Sequence, residues 1–187
     1  MSEYTAIGDI TNTILNLIKL NAAGVLQQDH INGLSPADVV EDESAQLSVF
    51  LYQVTENHHL KNQVMQESAS GNISYQPLSL NLYYLMTAYA RTRETEQQVL
   101  GKAMQILHDN AVIRGTLLQG SLAESREEII VVMHPLPLED MNKLWSMFGS
   151  KTYHISNTYR VSTATIDSAR ERIGNRVVEE TLRYSIS

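Results

Sequence analysis

The sequence predicts an α+β fold: a mainly antiparallel β-sheet with about three α-helices packed on one face. Three observations predict it. Apolar residues recur with a two-residue period at 45–54, 77–90, 128–134 and 153–167. Between and before these runs, apolar residues recur with the period of a helix. The order is helix, strand, strand, helix, strand, helix, strand, with no internal repeat and no low-complexity segment. At 187 residues the chain is long enough for one domain and its own core.

The first helix is expected from Thr5 to Ala23, with Ile7, Ile10, Ile14, Leu17 and Ile18 on one stripe and Asp9, Asn12, Asn16 and Lys19 opposite. Gly24 is its stop signal. An irregular stretch with Asn-Gly and Ser-Pro turns leads to "AQLSVFLYQV", 45–54. There Leu47, Val49 and Leu51 mark one face and Phe50, Tyr52 and Val54 the other, which reads as a central strand. "QESASGN", 66–72, has no core-forming residue and reads as a mobile loop or hairpin tip. "PLSLNLYYLMTAYA", 77–90, opens with Pro77 where no ladder donor is needed. Thr95-Glu96-Gln97-Gln98 has the pattern of a capping box opening a helix to about Asn110, with Val99, Leu100, Ala103, Met104 and Leu107 inward. "EIIVVMH", 128–134, is a strand ended by Pro135 and Pro137. "LEDMNKLWSMFG" then gives a helix with Glu139 and Asp140 in its first turn, a Glu139–Lys143 pair, and a stripe of Leu138, Met141, Leu144, Trp145 and Phe148. The strand at 153–167 is polar from Ser156 to Thr158 and is long enough to require a bend, a bulge or a projection. Residues 169–187 read as a short amphipathic helix or an arm.

Composition narrows the function. The net charge of -7 argues against nucleic acid, which needs clustered Lys and Arg. No run approaches the roughly 20 apolar residues needed to cross a bilayer, and the acidic opening "MSEYTAIGDI" does not resemble a signal peptide. The absence of cysteine excludes disulfides and thiolate chemistry and fits an intracellular origin best. The candidate catalytic and metal groups have plainer readings. His58-His59 lacks a second ligand cluster at usable spacing. His108-Asp109 sits where a histidine favours a helix C-terminus. His134 with Glu139 belongs to a strand-to-helix corner, and "GTLLQGS", 115–121, lacks the lysine of a phosphate loop. The sequon at Asn72 has meaning only in a secreted chain. No catalytic, cofactor-binding or metal-ligating set is therefore assigned, and no cofactor. Nine tyrosines against two phenylalanines are more telling. Tyr52, Tyr83, Tyr84, Tyr89, Tyr153 and Tyr159 lie in or beside strands, and tyrosine is enriched where an apolar side meets a wet one, as at protein interfaces.

Six stretches taken together, "AIGDITNTILNLI", "LSVFLYQVTEN", "PLSLNLYYLMTAYA", "EQQVLGKAMQILHDN", "LPLEDMNKLWSMF" and "YRVSTATIDS", resemble one family. It is the amino-terminal domain of the cap, or tail-terminator, proteins of contractile injection systems of the Photorhabdus virulence cassette and antifeeding prophage type. The resemblance covers roughly residues 4 to 168, with 169–187 left as the C-terminal arm. The "SNTY" interruption and a tail poor in proline depart from the family pattern. The resemblance implies a phage tail-terminator-like fold and a structural protein rather than an enzyme. It implies a hexameric ring that ends the inner tube and anchors the last sheath layer, with tube and sheath proteins as partners. Assembly in the bacterial cytoplasm and release as part of an extracellular particle would follow. Interface residues are expected on the last strand and the arm: Tyr153, Ile155, Tyr159, Arg160, Val161, Arg170, Arg172, Arg176 and Leu182. The competing readings are an initiator or connector at the baseplate end of such a particle, and a small soluble enzyme using His108, Asp109 or His134.

Overall fold

The computed structural model describes residues 4–41, 44–58, 72–74, 77–123, 128–167 and 171–173, with backbone only at 72–74, 163, 164 and 171–173. The expected loop at 66–71, His59, Arg170 and the tail from 174 lie outside the described residues.

The chain is organised around two long strands, β4 (Leu78–Tyr89) and β7 (Ser156–Ile166), which pair antiparallel. β2 (Gln46–Glu56) pairs antiparallel with the other side of β4. β6 (Glu128–Met133) pairs with β7, and β5 (Val112–Arg114) closes that side. β1 (Ile31–Asn32) lies parallel to the start of β2, so the six-stranded sheet is mixed, in the order β1-β2-β4-β7-β6-β5. A separate antiparallel pair joins β3 (Asn72–Ser74) to β8 (Glu171–Ile173). β2 is thus not fully central, because β1 flanks it only at Leu47 and Ser48.

Two bulges shape the sheet. In β2 the register moves from Leu51↔Tyr84 to Gln53↔Tyr83, leaving Tyr52 as the extra residue. Val54 then falls opposite Leu82, on the face that Leu47, Val49 and Leu51 occupy, and not with Phe50. In β7 the partners of Leu80 and Leu82 are Ala164 and Val161, so the long strand bulges at Ser162–Thr163. Its polar stretch is satisfied: the Thr158 hydroxyl donates to the His134 carbonyl, and the Ser156 and Thr87 hydroxyls meet at 2.9 Å.

Helices cover both faces of the sheet, which corrects the one-face expectation. α1 (Ala6–Asn21) and α2 (Arg93–Asp109) bury Ile10, Ile14, Leu17, Ile18, Val99, Leu100, Ala103 and Leu107 against Leu82, Tyr84, Met86, Ala88, Tyr159 and Val161. α3 (Leu138–Ser146) lies on the opposite face, packing Met141, Leu144 and Trp145, with Phe148, against Leu85 and Phe50. Strand alternation is the reason: Leu85 points away from Tyr84 and Met86 and needs its own cover. Leu138 is 80% exposed and does not join the expected stripe. The Glu139–Lys143 pair forms, at 2.8 Å. α2 begins a turn earlier than its capping-box pattern indicates: Thr92 is the N-cap, and its hydroxyl accepts from the Thr95 amide. Glu96, in the first turn of α2, is buried.

Candidate docking surface

α3 covers only half of its sheet face. Beyond Phe50, Leu85 and Thr158, register places Gln53, Tyr83, Arg160 and Val132 in one row across four strands. Gln53 and Val132 are exposed, Tyr83 and Arg160 half-buried. The Tyr83 ring contacts Tyr52 at 6.2 Å and His134 at 5.2 Å between centroids. Burial, then the neighbouring Tyr83, pushes the Tyr52 hydroxyl above its ordinary pKa, so it stays neutral at neutral pH. The Arg160 Nε is buried and has no hydrogen-bond partner among the described residues. A guanidinium whose fork is incompletely used, set among tyrosines and an exposed valine, has the composition of an interface hot spot.

Along α3 lies a groove of about 660 Å³, lined among others by Leu138, Met141, Trp145, Lys151 and Tyr153. Tyr153 is 50% exposed, and its ring stands on Trp145 at 5.2 Å. Behind it, His154 fixes the segment entering β7. Its Nδ1 donates to Glu96 Oε1 at 2.8 Å, its Nε2 lies 3.4 Å from Glu41 Oε2, and its ring contacts Tyr89 and Trp145. Lys151 Nζ donates to the Val39 carbonyl at 2.8 Å, tying the loop before β2 to the same place. Burial pushes the Glu96 carboxyl up, but the bonds from Arg93 and His154 outweigh it and hold it below the usual carboxylate value.

The nine expected interface residues separate into three groups. Tyr153, Ile155 and Arg160 are surface or half-buried, Tyr153 lining the α3 groove and Arg160 on the open sheet face. Tyr159 and Val161 are buried against α1 and α2, so within the chain they hold β7 in place. Arg170, Arg176 and Leu182 lie outside the described residues, and Arg172 is described only as the backbone partner of Ile73. Sequence reasoning missed the Glu96–His154 bond, whose partners are 58 positions apart with no spacing signal. His108 and Asp109 are exposed in the last turn of α2. His134 packs on Tyr83, while Glu139 pairs with Lys143. "GTLLQGS" is a docking loop: the Ser121 amide and hydroxyl donate to Asp9 Oδ2 at 3.0 and 2.7 Å, and the Gln119 amide to the Thr13 hydroxyl at 3.0 Å. Among the described residues no group of three His, Asp or Glu is placed to hold a metal, and no helix is long and apolar enough to cross a membrane.

The sequence profile of the family described as "Pvc16 N-terminal domain" matches residues 9–180. Two solved structures share the fold. One is the sheath/tube terminator, in its extended state, of the extracellular contractile injection system PVC: TM-score 0.69 at 18% identity, covering 100% of this chain and 66% of that one. The other is the anti-feeding prophage cap, a tube terminating cap: TM-score 0.62 at 17% identity, covering 94% of this chain and 61% of that one. The chain therefore spans just under two thirds of the length of these structural relatives. No curated protein matches it.

Proposed function

The chain belongs to the Pvc16 N-terminal domain family, and from that premise we propose that it is a structural cap, the tail terminator of a phage-tail-like contractile injection particle. A hexameric ring of copies ends the inner tube and anchors the last sheath layer, without catalysis. The observation that carries this reading is a structural match, over the whole of this chain, to part of a sheath/tube terminator. The physics agrees with it. A stack of rings joined head to tail always presents an unused interface at its end. A terminator matches that interface on one side and offers nothing matching on the other. This chain has such asymmetry: one sheet face is closed by α1 and α2, and the other is half open around Tyr83 and Arg160. Residues 1–168 form the docking unit and 169–187 an arm. Tyr153, Ile155 and Arg160 meet the partners, with Arg170, Arg172, Arg176 and Leu182 contributing from the arm. Assembly takes place in the bacterial cytoplasm, and the cap leaves as part of the extracellular particle.

Deleting the gene and imaging the particles by electron microscopy tests the proposal. Tubes of uncontrolled length, or sheaths that fail to stay extended, are expected; normal particles would refute it. Labelling the chain separates it from a connector, since the cap lies opposite the baseplate.

A further inference from the structure

We infer that the outer edge of β2 accepts, as an added strand, the C-terminal segment of a second copy of this chain. The inference deepens the ring proposed above and rests on it for the presence of neighbouring copies. β1 covers β2 only at Leu47 and Ser48, yet β2 runs on to Glu56. From Phe50 to Thr55 it has β4 on one side and no strand among the described residues on the other. The Asn57 amide donates to the Ser79 carbonyl at 2.8 Å, so position 57 faces β4. Antiparallel alternation then turns Thr55 and Gln53 toward β4 and points the Val54 N–H and C=O outward, away from any strand among the described residues.

Soluble proteins blunt such edges with lysine, proline, short length or a cover. Phe50-Leu51-Tyr52-Gln53-Val54-Thr55 contains no lysine, arginine or proline, and its one protection is the bulge at Tyr52. The opposite edge of the sheet is blunted: β5 is three residues long, it carries Arg114, and Pro135 follows β6 closely. Among the described residues the β2 side is therefore the receptive edge of the sheet.

The occupant is read from the chain's own sequence. Residues 182–187 are Leu-Arg-Tyr-Ser-Ile-Ser, a strict alternation of Leu182, Tyr184 and Ile186 with polar residues, the period of a strand with one apolar face. Val54, 42% exposed, offers that face a neighbour at the edge. Residues 174–187, extended, reach about 45 Å. That exceeds the radius of gyration of about 16 Å expected for a domain of this length. The segment leaving β8 can thus reach an adjacent copy. Donor and acceptor are different surfaces, so the contact is head to tail and repeats identically around a ring, whereas pairing of two β2 edges would stop at a dimer.

The chain contains no cysteine, which makes the test direct. Full-length Val54→Cys and full-length Tyr184→Cys are mixed, free and on assembled tubes, and oxidised. A disulfide-linked dimer on a non-reducing gel is expected. Val40→Cys, at an exposed site whose carbonyl accepts from Gln46 at the far end of β2 from Val54, replaces Val54→Cys as the control and is expected to give none. Adding Gln53→Lys to the Val54→Cys chain is expected to abolish the dimer. No cross-link in either setting, or a yield equal to the control, overturns the inference. So does a Val54→Cys/Tyr184→Cys chain that cross-links only within itself. If the cross-link fails while Val54→Lys protein still ends tubes at normal length, the inference falls and the cap reading stands. If deletion of the gene leaves particles normal, the cap reading falls by itself.

Discussion

Replacing Glu96 by Ala removes the acceptor at the centre of the clamp that positions the entry to β7. The Glu96 side chain is 3% exposed, and its ionised carboxylate can only accept, so His154 Nδ1 carries the proton between them. Arg93, the second donor at 2.8 Å, has a side chain 68% exposed, so its share is under about 1 kcal/mol. The main cost falls on His154, which is left buried against Tyr89 and Trp145 with its donor unpaired; such losses cost about 1–3 kcal/mol, and more when the group is charged. The expected total is about 3 kcal/mol. For a chain of this size each kcal/mol moves the melting temperature by about 2–4 °C, so a fall of roughly 6–12 °C is expected. Circular dichroism melts and urea titrations of Glu96→Ala, His154→Ala and the double variant measure it. The coupling energy of the cycle should be about 1.5–3 kcal/mol. A coupling below about 0.5 kcal/mol would show that the two groups do not act on each other, and would refute the clamp.

Asp9, like Glu96, is held below its ordinary pKa, first by the Ser121 hydroxyl and then by the Ser121 amide and Thr5 against a burial penalty. For both carboxyls the unfolded chain binds protons more readily than the folded one, so their stabilisation is full above about pH 4.5 and is lost as pH falls through the folded-state pKa values. Urea midpoints between pH 7 and pH 3 should fall with pH, and should fall less steeply in Glu96→Gln. Gly120 has φ 61, and a methyl there would overlap the Asp9 carboxylate, so Gly120→Ala should cost about 3 kcal/mol in chemical denaturation. Gly115, with φ 62 and open space around it, should cost only about 1 kcal/mol, which separates the lost clamp from backbone strain. Arg160→Ala should leave stability within about 1 kcal/mol, yet weaken attachment to purified tubes by about 30-fold in a sedimentation assay; unchanged attachment would remove Arg160 from the interface.

Much of the fold was legible because the strands obey their two-residue period. β2, β4, β6 and β7, and the three helices, fall within a few residues of where sequence places them. The departures have local causes. Thr95 satisfies the capping-box pattern, but the chain turns into α2 at Thr92, which has extended backbone, and the Thr92 hydroxyl meets both the amide and the hydroxyl of Thr95. Glu96, in the first turn of that helix, meets His154. β1 and β5 are two and three residues long, too short to show a period. Bulges at Tyr52 and Ser162–Thr163 are settled by pairing with β4, so the alternation of Val54 could not be read from its own strand. The site was half legible: tyrosine abundance and Arg160 pointed to it, but which tyrosines reach the surface depends on how much of the sheet α3 covers.

That coverage explains why β4 is apolar on both faces over only part of its length. From Leu85 to Tyr89 it runs between helix layers, with Met86 and Ala88 under α1 and α2 and Leu85 under α3, and every residue is buried. From Asn81 to Tyr83 one face is still sealed by Leu82 while the other leaves the cover of α3, and there the residues become Asn81 and Tyr83, both half-buried. Tyrosine suits both halves for different reasons. Buried Tyr84 spends its hydroxyl on Thr11 at 2.9 Å and pins α1 to the sheet; Phe there would leave the Thr11 hydroxyl without that partner. Tyr83, half-buried, sets its ring on Tyr52 and His134 beyond the cover of α3. One strand thus serves as core at one end and, in the proposed cap, offers its other end for docking. A contact made on Tyr83 and Arg160 would therefore bear directly on the paired strands β4 and β7 at the centre of the sheet and not on a peripheral loop.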